Sequence, residues 1–228
     1  MTDTIEIIDT GLAKYMSVWA LQKRLFTENT TAKATEAPSS NYLILCEHEP
    51  VFTLGKSGKE ENIIAGKDEL QAEYYHVDRG GDITFHGPGQ LVVYPILDLD
   101  SLGIGLAKYI YLLEETVMLS LKAYGLSGQR VENAAGIWIC DSAGERKICA
   151  IGVKASRNIT MHGLAMNVTT QLSYFDKIIP CGLQGKGVTS LQKELNKQVP
   201  MEDYKSVFTE CFFSVFNIGK FENVKMDA

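Results

Sequence analysis

Two side chains in this sequence are of types that could carry nucleophilic and proton-transfer chemistry. Cys181 sits in IIPCGLQGKGVTSLQKEL, between a proline and a glycine, where the chain leaves an apolar run and enters a glycine-rich loop. A cysteine in that setting is either a nucleophile or an inert thiol. Lys147 opens the run KICAIGVK. A period of two places Lys147, Cys149, Ile151 and Val153 on one strand face and Ile148, Ala150, Gly152 and Lys154 on the other. Lys147 then shares an apolar face, where it either snorkels to water at the rim or is partly desolvated and able to exchange protons near neutral pH.

A third feature is RGGDITFHGPGQLVVYP, residues 79–95, where Arg79 and His86 stand among Gly80, Gly81, Gly87 and Gly89. Glycine at that density marks positive φ or a close approach of backbone to a ligand or to a second chain segment. His86 and His162, the latter in MHGLAMN, each lie beside glycine and read as hydrogen-bonded structural histidines or as site residues. His48 and His76 read as structural. No Cys/His set has zinc-ligand spacing.

The elements that must position these residues alternate short strands with a few long helices. TIEIID (4–9) reads as a strand, followed by a helix carrying Leu12, Tyr15, Met16, Trp19 and Phe26 at helical spacing. TENTTAKATEAPSSN (27–41) lacks periodicity and is expected to be a surface loop with nothing to bury. Two strands flank Glu49-Pro50, and YYHVD, DITFH and the apolar LVVYPILDL supply more. Helices are expected over about 106–124 and 201–216, and GIWICDSAGERKICAIGVK forms a hairpin turning at 141–144. Thr189 and Gln192 have capping-box spacing for a short helix. Strands and helices mixed without a βαβ rhythm predict an α+β domain.

The 228 residues suit one domain spanning 1–228, and 45% hydrophobic with 22% charged residues excludes a disordered or fibrous chain. A formal charge of −6 argues against nucleic-acid binding, and an acidic partner would need a local basic patch, for which Lys154, Arg157, Lys177 and Lys186 are candidates. The acidic start MTDTIEIIDTG and the lack of any membrane-length apolar run point to a cytoplasmic protein without membrane attachment. Five cysteines without paired spacing are expected to be free thiols, with Cys46, Cys140, Cys149 and Cys211 as core filler.

The run RGGDITFHGPGQLVVYP, with EHEPVFTLG upstream and KICAIGVKASRNITMHGLAMNV and IIPCGL downstream, resembles the octanoyltransferase family of lipoate synthesis. The likeness extends from about Asn41 to Leu195, with the motifs in family order. It implies an acyl-accepting cysteine at Cys181 and a lysine that lowers its pKa at Lys147. It further implies substrate-binding segments at Arg79, Gly80, Gly81, Asp82, Ile83, Thr84, Phe85 and His86, at Ala150, Ile151 and Gly152, and at Gly163, Leu164 and Ala165. The implied fold is a mixed, largely antiparallel sheet flanked by helices, similar to the catalytic domain of biotin and lipoate protein ligases.

The implied partners are octanoyl-acyl carrier protein and lipoyl domains of 2-oxoacid dehydrogenase complexes and of the glycine cleavage carrier protein. No cofactor, metal or nucleic acid is implied. Two other readings stand beside this one. An ATP-dependent lipoate or biotin ligase of the same fold would use Lys147 on an adenylate and leave Cys181 incidental. A non-catalytic module would bind carrier domains with Cys181 inert.

Overall fold

The computed structural model describes residues 4–66, 69–132, 134–179 and 186–224. The chain begins with β1 (Thr4–Ala13), α1 (Tyr15–Ala34), β2 (Asn41–His48), β3 (Val51–Leu54), β4 (Glu73–His76), β5 (Ile83–His86) and β6 (Gln90–Ile96). It continues with α2 (Leu106–Ala123), β7 (Gln129–Val131), β8 (Ala134–Asp141), β9 (Gly144–Ser156) and β10 (Ile159–Asn167). Last come β11 (Gly187–Val188), α3 (Leu191–Leu195), α4 (Met201–Phe216) and β12 (Lys220–Val224).

The main sheet runs β12-β1-β2-β6-β10-β9-β8-β7, with β11 added beside β9. Its centre, from β2 through β8, is antiparallel, while β12 and β2 lie parallel to β1 and β11 parallel to β9. A smaller sheet, β4-β3-β5, stands apart. This is the expected α+β architecture.

Alternation along the strands sorts their side chains to two cores. On one face Leu43, Leu45, Leu91, Val93, Leu164 and Met166 pack with Tyr109, Leu113 and Val117 of α2 and Phe208 and Phe212 of α4. On the other, Ile44, Cys46, Val92, Ile96 and Ala165 meet Val18, Leu21 and Leu25 of α1. The small sheet has its own apolar cluster around Phe52, Ile83, Phe85 and Phe175.

Three expectations need correction. Residues 27–34 are not a loop but the last turns of α1. The buried register Val18, Gln22, Leu25 continues to Asn29, which is buried because its side chain both donates to Ser40 O (2.8 Å) and accepts from Ser40 N (2.9 Å), pinning the return to β2. Leu12 belongs to β1 and is exposed, and the helix starts only at Tyr15. The cap of α3 is Ser190, whose hydroxyl accepts from Lys193 N, while Thr189 donates its hydroxyl to Glu194 Oε1 at 2.6 Å. The other predicted elements, including both long helices and the hairpin at 141–144, are present.

Candidate active site

A cleft opens between the α1-side face of the main sheet and the small sheet. Its walls are Arg79, Gly81, Asp82, Thr84 and His86 on one side and Ala150, Ile151, Gly152, Gly163, Leu164 and Ala165 on the other. It encloses about 480 Å³, counting the part open to solvent. Strand alternation decides which residues of DITFH reach it. Thr84 and His86 face the cleft, whereas Ile83 and Phe85 turn into the apolar cluster of the small sheet. Gly80 is also off the wall, its N–H donating to Val153 O at 2.9 Å.

Arg79 is buried and committed to the scaffold. Its Nη2 donates to Thr53 O (2.6 Å) and Thr53 Oγ1 (2.9 Å), its Nε to the same hydroxyl, and its Nη1 to Gly80 O (3.0 Å). The fork thus braces the small sheet against the glycine segment. A second backbone segment and a positive φ account for these glycines without a ligand. A Cβ on Gly152 would stand 2.9 Å from Gly80 O, and Gly81 takes φ +86, a conformation L side chains rarely adopt.

His86 begins a chain of buried hydrogen bonds. Gln90 Nε2 donates to Phe85 O (3.1 Å) and to Asn167 Oδ1 (2.9 Å), which fixes its amide so that Oε1 accepts from His86 Nδ1 at 2.8 Å. Asn167 Nδ2 then donates to Thr189 O (3.0 Å), and Thr189 N donates to Lys147 O (2.9 Å). A polar path therefore runs from the cleft wall to the strand that carries Lys147. Burial, reinforced by the neighbouring His48, pushes the His86 imidazole down to about 3, so the ring is neutral.

Sequence reasoning singled out neither Tyr15, Val92 nor Tyr94 as a site residue, yet all three line the cleft. Tyr15 stacks on His86, with ring centroids 6.2 Å apart and planes 5° from parallel. His48 Nδ1 donates to Ala13 O (3.1 Å), leaving Nε2 to accept the Tyr94 hydroxyl at 2.8 Å. Burial lowers His48 to about 4 and raises both tyrosines, so this floor carries no charge. The signal for Tyr15 was its place at the start of the apolar stripe of α1, which reads equally well as core.

His162, at φ +60, also lines the cleft and bonds Asp78 Oδ1 at 2.8 Å. Burial lowers its pKa against the pull of Asp78. Asp78 in turn is held well below the usual carboxylate range by its bond to His162 and by Lys154, whose Nζ lies 2.6 Å from Oδ2. Lys154 is thus engaged inside the chain, as are Arg157 with Thr30 O, Lys177 with Glu69 O and Leu70 O, and Lys186 with Glu145.

Lys147 is not part of the cleft lining, but a departure from strict alternation puts it on the cleft-facing side of β9. Trp138 of β8 pairs with Lys147, and Ile137 pairs with Cys149, so Ile148 is an extra residue in β9. This bulge puts Lys147 and Cys149 on opposite faces, which corrects the period-two reading. Cys149 joins the α2/α4 core, while Lys147 shares its side with Ala150 and Gly152 and is buried to 7% exposure. Its Nζ lies 4.7 Å from the centre of the Trp138 ring.

Cys181 lies outside the described residues. The chain before it is tied by Ile179 N to Asn62 O at 2.7 Å, and Asn62 in turn donates its side-chain N–H to Asp82 Oδ2. The chain after it forms β11, in which Val188 pairs with Lys147. Burial raises the thiol pKa of each of the other four cysteines.

Residues 14–213 match the family model for the lipoyl protein ligase A/B catalytic domain. The octanoyltransferase of Bacteroides thetaiotaomicron is 49% identical over 203 residues, covering 87% of this chain and 89% of that protein. That of Christiangramia forsetii is 44% identical over 227 residues, covering 95% and 97%. Among solved structures, a lipoate-protein ligase A bound with ATP superposes with a TM-score of 0.73 at 15% identity, over 100% of this chain and 90% of that one. The Aquifex aeolicus biotin protein ligase gives 0.51 at 11%, over 95% and 70%. The structural likenesses carry the fold, and the sequence relatives, matched over nearly their whole length, carry the kinship: this chain belongs to the octanoyltransferase family.

Proposed function

We propose that this chain, acting as one catalytic domain in the cytoplasm, moves an octanoyl group from octanoyl-acyl carrier protein through a thioester on Cys181 to a lysine of a lipoyl carrier domain. Carrier domains of the 2-oxoacid dehydrogenase complexes and of the glycine cleavage system are the acceptors in this reading. The observation that carries it is the position of Lys147, a buried ammonium on the cleft face of β9, with the chain leaving the Cys181 segment paired alongside it.

A free thiol of pKa about 8.5 is mostly protonated at neutral pH, and an adjacent ammonium favours the thiolate. Cys181 Sγ attacks the thioester carbonyl, the tetrahedral oxyanion collapses, and the phosphopantetheine sulfur leaves with a proton from Lys147. The neutral Lys147 amine then takes a proton from the incoming carrier lysine, whose amine attacks the acyl-enzyme; the C–S bond breaks, the Cys181 thiolate leaves, and the amine's second proton passes to solvent to give the amide. Thiol-to-thiol transfer is close to neutral in energy and thioester-to-amide is downhill, so no nucleotide is consumed.

The cleft suits the acyl chain. Its neutral imidazoles and phenols beside Val92, Ala150 and Leu164 offer apolar contact, and burying about six methylenes at ~0.8 kcal/mol each contributes about 5 kcal/mol. The test is transfer in nucleotide-free buffer from octanoyl-acyl carrier protein to a lipoyl domain. Octanoylated carrier should accumulate. Product formed only from free octanoate with ATP would replace this reading with a ligase.

A further inference from the structure

Trp138 is 1% exposed yet belongs to neither of the apolar clusters that flank the main sheet. Two ammonium groups approach its ring instead. Lys147 Nζ is 4.7 Å from the centroid and Lys186 Nζ 5.1 Å. The ring cannot turn freely, because its indole N–H donates to Ala134 O at 2.9 Å. Pairing of Trp138 with Lys147 across the β8/β9 ladder, next to the bulge at Ile148, puts indole and ammonium on the same side of the sheet.

The negative face of an aromatic ring attracts a cation, most strongly when both are shielded from water, and here the cation is 7% and the ring 1% exposed. Lys186 stands five residues beyond Cys181 in the chain and is further held by Glu145 at 2.6 Å. The same indole therefore fixes a lysine on the cleft strand and the start of the chain that leads into β11.

We propose that Trp138 is a positioning residue for acyl transfer. Its π face holds the Lys147 ammonium on the cleft-facing side of β9 and takes Lys186 onto the same ring, so that both lysines share one rigid anchor. The inference rests on the reading of Lys147 as the proton-transfer group.

The test varies the ring's electrostatics at constant shape. With Trp19 replaced by Phe, Trp138 is the only tryptophan left, and fluorinated tryptophans can be incorporated there alone. Successive fluorination should lower kcat progressively, by roughly tenfold across the series, with KM for octanoyl-acyl carrier protein unchanged. Trp138→Leu should lose about 10²-fold in kcat, and Trp138→Phe should recover most of it. A kcat indifferent to fluorination, or equal losses in Leu and Phe variants of equal stability, would overturn the inference. If Trp138→Leu does not fold, the fluorinated series decides alone. Lys147→Gln separates the two claims. An active Lys147→Gln enzyme removes the proton-transfer reading, whereas an inactive one with a flat fluorine series removes only the role of Trp138.

Discussion

Truncating Asn167 to alanine breaks the polar path between the cleft wall and the strand of Lys147 at its middle. Two bonds go, Gln90 Nε2 to Asn167 Oδ1 at 2.9 Å and Asn167 Nδ2 to Thr189 O at 3.0 Å. Gln90 keeps Phe85 O but has one N–H left over, and Thr189 O loses this donor. Asn167 is 4% exposed and Gln90 1%, so water does not reach the vacated partners freely. At about 1–3 kcal/mol for each orphaned group, the loss is about 2–6 kcal/mol, a large share of a typical stability of about 5–15 kcal/mol.

Urea unfolding at neutral pH should show this as a lower midpoint with an unchanged slope. Asn167→Asp is the companion. It keeps an acceptor for Gln90 but sets a carboxylate oxygen against Thr189 O, so it should be destabilised at neutral pH and recover as acid protonates the carboxyl and restores a donor. An Asn167→Ala midpoint equal to that of the wild type, or an Asp variant whose deficit relative to the wild type ignores pH, would refute the path as a structural tie.

Inserting one residue between Ile137 and Trp138, opposite Ile148, should make the ladder regular and turn Lys147, with Trp138, to the α2/α4 side of the sheet. Transfer activity should disappear, whereas Ile148→Ala should keep activity at a cost of about 2–4 kcal/mol in unfolding experiments, and an active insertion variant would contradict the role of the bulge. His48 and His86 have folded pKa values lowered to about 4 and about 3, so as pH falls below about 6.5 the unfolded chain takes up protons first. The stability of their neutral forms is complete above that pH and is lost as pH falls toward the folded values, by up to about 3 kcal/mol per pH unit for the pair. A urea midpoint that stays level between about pH 7 and pH 5 would contradict it.

How much of this was legible in the sequence depended on whether local pattern or tertiary pairing decided the outcome. DITFH and LVVYPILDL were readable because alternation and apolar runs survive in β5 and β6. The last turns of α1 were hidden because Asn29, buried through its bonds to Ser40, occupies an inward position where a pattern search expects an apolar residue. Lys147 was singled out, but the face it occupies was not, since a single inserted residue reverses strand parity and only the pairing with Trp138 reveals it. The glycines 80 and 81 announced close approach, and the sequence could not say that the approaching group is the backbone around Gly152 and Gly55.

Acyl transfer in this reading passes through Cys181. Incubating the enzyme with octanoyl-acyl carrier protein in the absence of a lipoyl domain, then measuring intact mass and mapping the modified peptide, tests it directly. A single hydroxylamine-sensitive octanoyl group should appear on the peptide containing Cys181, absent in Cys181→Ala and discharged on addition of a lipoyl domain. Unmodified enzyme from a preparation that nonetheless octanoylates the carrier, or an octanoyl group on any other cysteine, would contradict it.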